Sequence, residues 1–140
     1  MRLTKHTDYS LRVLMYLALK PDESHTIPEL SEKFKLSKNH LMKVVNHLSR
    51  NGFVNAQRGR GGGLRLAKPV ESIRVGAVVQ AMEQNLEVID CNANGGCVLL
   101  PSCKLKGALN DAMRSFIHTL DNYTLADLVA QPNQLIKLLD

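Results

Sequence analysis

Cys91, Cys97 and Cys103 are spaced C-x5-C-x5-C, and the 140-residue chain has no other cysteine. A disulfide would leave one thiol over, and stable disulfides are disfavoured in a reducing compartment. Three cysteines buried separately in a core would not fall at even intervals around a stretch of Gly and Asn (Asn92, Asn94, Gly95, Gly96). The pattern reads as a set of soft ligands for a metal. Structural zinc commonly arrives as C-x2–4-C pairs with four protein ligands, so a wide, even triplet favours an iron–sulfur cluster; a structural zinc module is the competing reading. Lys104 and Lys106 lie where they would stabilise the thiolates.

A second constellation is electrostatic. Residues 1–74 carry 14 Lys and Arg against 6 Asp and Glu, whereas residues 75–140 carry 4 against 7, and from Lys33 to Lys68 there are nine cations and no carboxylate. A solvated face normally mixes both signs, so this stretch calls for an anionic partner, with nucleic acid first. Within it, Leu41, Val44, Val45 and Leu48 share one sector of a helical wheel. Asn39, Lys43, Asn46, His47 and Arg50 lie opposite, with Lys38 and His40 in the first turn behind Ser37. The major groove admits a helix, and long polar side chains of these types reach base edges and phosphates. Next comes a tip, Arg58-Gly59-Arg60-Gly61-Gly62-Gly63, followed by Arg65. It supplies charge on a sharply turning backbone. It lacks the lysine-serine/threonine ending of a nucleotide-cradling loop, and no helix follows it.

The elements that must position these groups are also legible. Helical spacing and the cap-forming Thr7-Asp8-Tyr9-Ser10 predict a first helix from about Asp8 to Lys20. The Thr26-x-x-Glu29 box and Pro28 predict a second to about Phe34. Ser37 and Asn51-Gly52 bracket a third from about Lys38 to Arg50. Phe53–Gln57 and Leu64–Ala67 predict a β-hairpin, and Val75–Glu83 a further helix. From near Ser102 to Asp121-Asn122 a long helix is expected, roughly 28 Å at the usual rise, with Leu105, Leu109, Ala112, Phe116 and Leu120 on one stripe. The small core cannot cover that stripe, so it is expected to pair with a second copy of the chain in a homodimer. The fold class is thus mainly α with a small β-hairpin. Residues 1–83 form a winged helix-turn-helix region, 84–101 a cysteine-bearing loop, and 102–140 a dimerisation helix and tail.

No apolar run reaches the length of a membrane span and no leader pattern is visible, which points to a cytoplasmic protein. No acid–base pair or substrate-pocket motif accompanies the cysteines, so an enzyme is not expected.

The Met-Arg-Leu-Thr start, the Arg-Gly-x-Gly-Gly-Gly wing at residues 58–63 and the cysteine triplet together resemble the Rrf-type winged-helix iron–sulfur regulators over nearly the whole chain. Thr7-Asp8-Tyr9, the run from Asn39 to Asn46 and the run from Asp121 to Val129 are similar to the family's nitric-oxide-sensing repressors. That resemblance implies repression at a palindromic double-stranded operator, relieved when nitric oxide nitrosylates a [4Fe-4S] cluster. It implies a fourth ligand at Asp8 of the other subunit, where a plain helix N-cap is the alternative. The family's regulators of cluster assembly share the cysteine spacing but place a histidine three residues after the last cysteine, where this chain has Lys106. Histidine-ligated [2Fe-2S] chemistry and the sensing of cluster supply are therefore the second expectation. The histidines are His6, His25, His40, His47 and His118, none in the loop. His40 and His47, two turns apart, cannot share an ion and are expected to face solvent or DNA.

Overall fold

The computed structural model describes residues 1–139. Seven helices and one hairpin follow in the order α1 (Lys5–Leu19), α2 (Ile27–Phe34), α3 (Lys38–Arg50), β1 (Val54–Gln57), β2 (Gly63–Leu66), α4 (Val75–Met82), α5 (Lys104–Asp121), α6 (Leu125–Leu128) and α7 (Pro132–Leu139), with three short 3-10 turns between. The architecture is the expected one: mainly helical, with a two-stranded antiparallel hairpin.

Local signals account for α2 and α3. Thr26 Oγ1 accepts from the Glu29 amide and the Glu29 carboxylate accepts from the Thr26 amide, closing the capping box. Lys35 ends α2 in the left-handed conformation, and Ser37 caps α3 by accepting from the amide of His40. The three-residue turn between them is helix-turn-helix geometry.

The first helix begins earlier than expected. Thr4, not a residue of Thr7-Asp8-Tyr9-Ser10, is its N-cap, accepting from the Thr7 amide. Thr7 and Ser10 are instead buried inside the helix, where Ser10 Oγ donates to the His6 carbonyl. Asp8 is therefore not an N-cap.

In the larger of two core clusters, Val13, Leu14 and Leu17 of α1 meet Leu30 of α2, Leu41, Val44 and Leu48 of α3, Leu64 of the hairpin and Ile73 before α4; the smaller joins Val75 and Val79 of α4 to Ile117 of α5. The hairpin pairs Val54 with Leu66 through to Gln57 with Gly63, one residue earlier on its second strand than the sequence suggests. Leu64 also forms a bridge with His25, tying the hairpin to the segment before α2.

After α5 the chain returns to this core. Leu125 of α6 is buried, and its amide donates to the Ile73 carbonyl; Leu139 of α7 packs on the core, where Lys33 Nζ donates to its carbonyl. The sequence reading carries no helix in this tail, although Thr124 and Asp127 form a second capping box. Among the described residues no helix is long and apolar enough to cross a membrane.

Candidate nucleic-acid interface and cysteine loop

The wheel of α3 is realised as expected except at His47. Leu41, Val44, Val45 and Leu48 are buried, while Lys38, Asn39, His40, Lys43, Asn46 and Arg50 are exposed. Arg58 and Arg60 stand exposed at the hairpin tip. Among the described residues no salt bridge engages Lys38, Lys43, Arg50, Arg58, Arg60 or Lys68, so these cations carry their charge unneutralised. Arg65 is exposed too, but its guanidinium donates to the Asp22 carbonyl 3.0 Å away. Ser37 Oγ accepts from the His40 amide as the cap of α3. The rings of His40 and Tyr9 are steeply inclined to each other, 6.0 Å between centroids.

Between α3 and the hairpin lies a cleft of about 730 Å³, walled by Met42, Asn46 and Ser49 on one side and by Asn55, Gln57 and Arg58 on the other. Asn55 and Gln57, exposed on β1, were not among the expected contacts. Their only signal, polar residues on a short strand, is equally that of a plain solvent face. Two glycines shape the hairpin tip and its approach to the segment before α2. Gly63 has φ +137, and a Cβ there would collide with the Ser24 hydroxyl; one on Gly62 would strike the Gln57 carbonyl. Ser24 Oγ donates to the Gly62 carbonyl at 2.8 Å, fastening the tip.

Beneath this surface lies a buried polar network. His25, 1% exposed, places Nδ1 3.0 Å from Glu29 Oε1 and Nε2 3.3 Å from the Lys20 carbonyl, and the Tyr16 hydroxyl donates to the same Glu29 oxygen. Burial pushes the Glu29 carboxyl up, but hydrogen bonds from His25, Tyr16 and the Thr26 amide outweigh it and hold the group below the usual carboxylate range. One histidine thus joins α1, α2 and the hairpin.

His47 departs from expectation. It is half-buried, and its Nδ1 lies 2.9 Å from His6 Nε2 of α1, so that ring edge is spent inside the protein rather than offered to DNA. Burial and the neighbouring His47 lower the pKa of His6 below its ordinary value, against an opposing pull from Glu83 and with a further lowering from His40. At the base of the same helix, the amide and hydroxyl of Thr4 both donate to Glu83 Oε1, at 2.7 and 3.1 Å. Glu83 is the residue on which α4 ends and the cysteine-bearing segment begins.

In that segment Cys91 and Cys103 are half-buried, Cys97 is exposed, and all three are free thiols. Gly95 and Gly96 both take positive φ, and the turn they make lets the Cys97 amide donate to the Cys91 carbonyl at 2.9 Å. Cys103 occupies the N-cap position of α5 with no side-chain bond. Val98 is 92% exposed and Leu99 68%. No group of three or more His, Cys, Asp or Glu side chains among the described residues is gathered closely enough to hold a metal ion. Asp8 lies on α1 in a two-pronged pair with Arg12, at 2.9 and 3.0 Å, both side chains about half exposed.

The stripe on α5 divides. Phe116 and Leu120 pack with buried Ile117 against Val75 and Val79 of α4, aided by Gly76, where a Cβ would strike the Asp121 carboxylate. Leu109 is half-buried, and Leu105 and Ala112 are exposed. The uncovered half thus begins beside the cysteines.

Residues 3–131 match the Rrf2 family, described as iron-dependent transcriptional regulators. The fold is similar to that of IscR from T. potens (22% identity over 93% of this chain and 87% of that one, TM-score 0.74). It is also similar to CymR, the global cysteine regulator of B. subtilis (23% identity, 93% and 97% covered, TM-score 0.70), and to the oxidised form of Staphylococcus aureus CymR (25% identity, 91% and 95% covered, TM-score 0.70).

Proposed function

We infer the role of this chain from its place in the Rrf2 family of transcriptional regulators, to which it belongs. Members of that family are regulators and not enzymes. Within it, we read the chain as a homodimeric repressor of a palindromic operator that senses nitric oxide through one [4Fe-4S] cluster per subunit.

The exposed, unneutralised cations of α3 and the hairpin tip support the DNA-binding part. They lie about a cleft of mixed polar and apolar lining between α3 and the hairpin, and two α3 helices related by a two-fold axis would read two half-sites. The observation that carries the sensing part is the presence of three free thiols on one loop, two of them linked through their backbones. The chemistry of this donor set fits an iron–sulfur cluster, whose iron centres, when bound, supply the sites with which nitric oxide reacts. Among the described residues the thiols are not gathered into a metal-binding group, so holding the cluster would require the loop to close and a further ligand to arrive. Asp8 of the partner subunit is the candidate, and it would exchange Arg12 for iron. The exposed Val98, Leu99 and Leu105 beside the cysteines would be covered by the same association. Loss of the ligand set would free the loop and alter the spacing of the α3 helices, which releases DNA.

The deciding experiment is anaerobic isolation with absorption and Mössbauer spectra, then stoichiometric titration with nitric oxide while DNA affinity is followed. A four-iron spectrum lost together with DNA binding supports the reading. A two-iron spectrum, with affinity tracking cluster loading but not nitric oxide, would transfer the chain to control by cluster supply.

A further inference from the structure

The root of the cysteine segment and α3 both line a cavity of about 570 Å³, together with the start of α1: its walls include Thr4, His6, Lys43, His47, Glu83 and Asn85. Hydrogen bonds span that gap. At one side Glu83, the last residue before the cysteine segment, receives two hydrogen bonds from Thr4 and so pins the N-terminus of α1, where a carboxylate also suits the helix dipole. At the other, His6, in the first turn of that helix, hydrogen-bonds His47 in the last turn of α3. Thr4 connects the two, since its hydroxyl donates to Glu83 while accepting from the Thr7 amide.

We propose that Glu83, Thr4 and His6 are positioning residues that set the orientation of α3 through His47, so that a displacement at the root of the cysteine segment reaches the DNA-binding helix by way of the first turn of α1. This rests on the reading of the loop as sensor and α3 as DNA reader. The relay suits transmission because its links are directional and few, and because the cavity beside them leaves room for the first turn of α1 to shift. His47 in this scheme is the receiver of the signal rather than a reader of bases.

The test compares the parent, Thr4→Val, His6→Phe and Thr4→Ser, each cluster-loaded and metal-free. DNA affinity is measured on the duplex that the parent selects from a random library. Thr4→Val removes the hydroxyl bond and the cap, His6→Phe keeps the ring but not its nitrogens, and Thr4→Ser preserves every bond. The expected result is a ratio of loaded to metal-free affinity that narrows by roughly three- to tenfold in the first two variants, as for one hydrogen bond of ordinary net worth, with unchanged iron content. Thr4→Ser should match the parent. A second readout uses the metal-free protein alone: ring-nitrogen resonances of His47 should shift in Thr4→Val, with faster amide exchange in the last turns of α3 but not in α2. A merely structural defect would speed exchange in both helices. Parent-like affinity ratios together with unmoved His47 resonances would overturn the relay. Failure of the sensing reading shows separately, as equal affinity of the loaded and metal-free parent; the His47 resonances of Thr4→Val then decide alone whether the tie reaches α3.

Discussion

The two functional regions are built on opposite plans. The helix-turn-helix and hairpin rest on one buried core, with Leu14, Leu30, Leu41 and Leu48 wholly inaccessible and a polar network around His25 joining α1, α2 and the hairpin. Among the described residues of the cysteine segment from Gln84 to Cys103 none is fully buried, although Leu86 packs against the cluster between α4 and α5; the segment leaves Val98 and Leu99 in solvent and is shaped mostly by turns. A surface that reads a rigid duplex must hold its side chains in fixed relation. A loop that closes on a cofactor and opens on its loss must have low local stability. The first region packs within one chain, whereas the second, among the described residues, leaves its thiols ungathered and its apolar residues uncovered.

The sharpest way to break that contrast is to disturb each region separately. Cys97→Ala should abolish cluster incorporation, because two thiolates and one carboxylate supply too few soft donors for a four-iron core. The same substitution should change unfolding stability by under ~0.5 kcal/mol, as expected for an exposed loop position. Iron and sulfide analysis beside urea denaturation checks both halves. Parent-like iron content would remove Cys97 from the ligand set, and a large stability loss would mean that the loop supports the fold. Leu48→Ala, at a position with 0% exposure, should instead cost about 2–5 kcal/mol by leaving a cavity under the DNA-reading helix. Leu105→Ala, 60% exposed on α5, should leave chain stability nearly unchanged and weaken self-association, as read by sedimentation.

On the DNA surface the contrast can be refined between reading and holding. Asn46 faces the cleft and is free to meet a base edge, so Asn46→Ala should cost about 1–3 kcal/mol on the selected duplex and relax preference at one position. Lys43→Ala and Arg60→Ala should weaken all duplexes alike and lower the slope of log affinity against log salt by about one. Uniform losses for Asn46→Ala would make it a backbone contact.

Where sequence reasoning succeeds, the determinants lie within a few residues of each other. Ser37 before Lys38, and Thr26 with Glu29, fix α3 and α2 to the residue because caps are local chemistry. The same logic misplaces the start of α1. Thr7, Asp8 and Ser10 are cap-forming types, but their faces were decided by the core, which buries Thr7 and Ser10 and leaves Thr4 to cap. The bond between His6 and His47 is invisible locally, since 41 residues separate the partners and either ring alone looks like a surface histidine. The Thr124-Asp127 box was readable, yet a four-residue helix has too little periodicity to be noticed without the core that receives Leu125. Which of the cations lack partners also required the fold, because Arg65 and Arg60 are alike in sequence and only one bonds within the chain.

The network around His25 offers a smaller test of how firmly the reading half is held. Glu29 titrates below the usual carboxylate range in the folded chain, so the unfolded chain binds its proton first. Ionised Glu29 therefore contributes stability that is fully present above the unfolded pKa and fades as pH falls towards the folded one. Glu29→Gln should lower stability by about 1 kcal/mol near neutrality, with the gap to the parent closing on acidification through that window. Denaturation curves from neutral pH down to the acid limb would show it. A gap that is constant with pH would mean that the carboxylate contributes by packing and not by charge.

The smallest effect on folding, and the one that divides the two regions most cleanly, belongs to Asp8. It sits on α1, a helix of the well-packed half, yet the cluster reading asks it to serve the loop of the other subunit. With Thr4 as the cap, Asp8 has no capping role to lose, and its pair with Arg12 is about half exposed, so Asp8→Ala should cost only ~0–1 kcal/mol of stability. If Asp8 of the partner subunit held the cluster, its carboxylate would be a hard donor among soft thiolates, and the iron it held would be the weakest-held one and the expected entry point for nitric oxide. Asp8→Cys should then retain the cluster and slow its reaction with nitric oxide, while Asp8→Ala leaves a more labile cluster and weaker coupling to DNA. Because the site would be completed across the dimer, mixed dimers with Asp8→Ala on one chain and Cys97→Ala on the other should keep at most one intact site. If Asp8→Ala and Asp8→Cys both match the parent in cluster spectrum, nitric oxide kinetics and DNA affinity, the Arg12 pair is the whole role of Asp8 and the fourth ligand lies elsewhere.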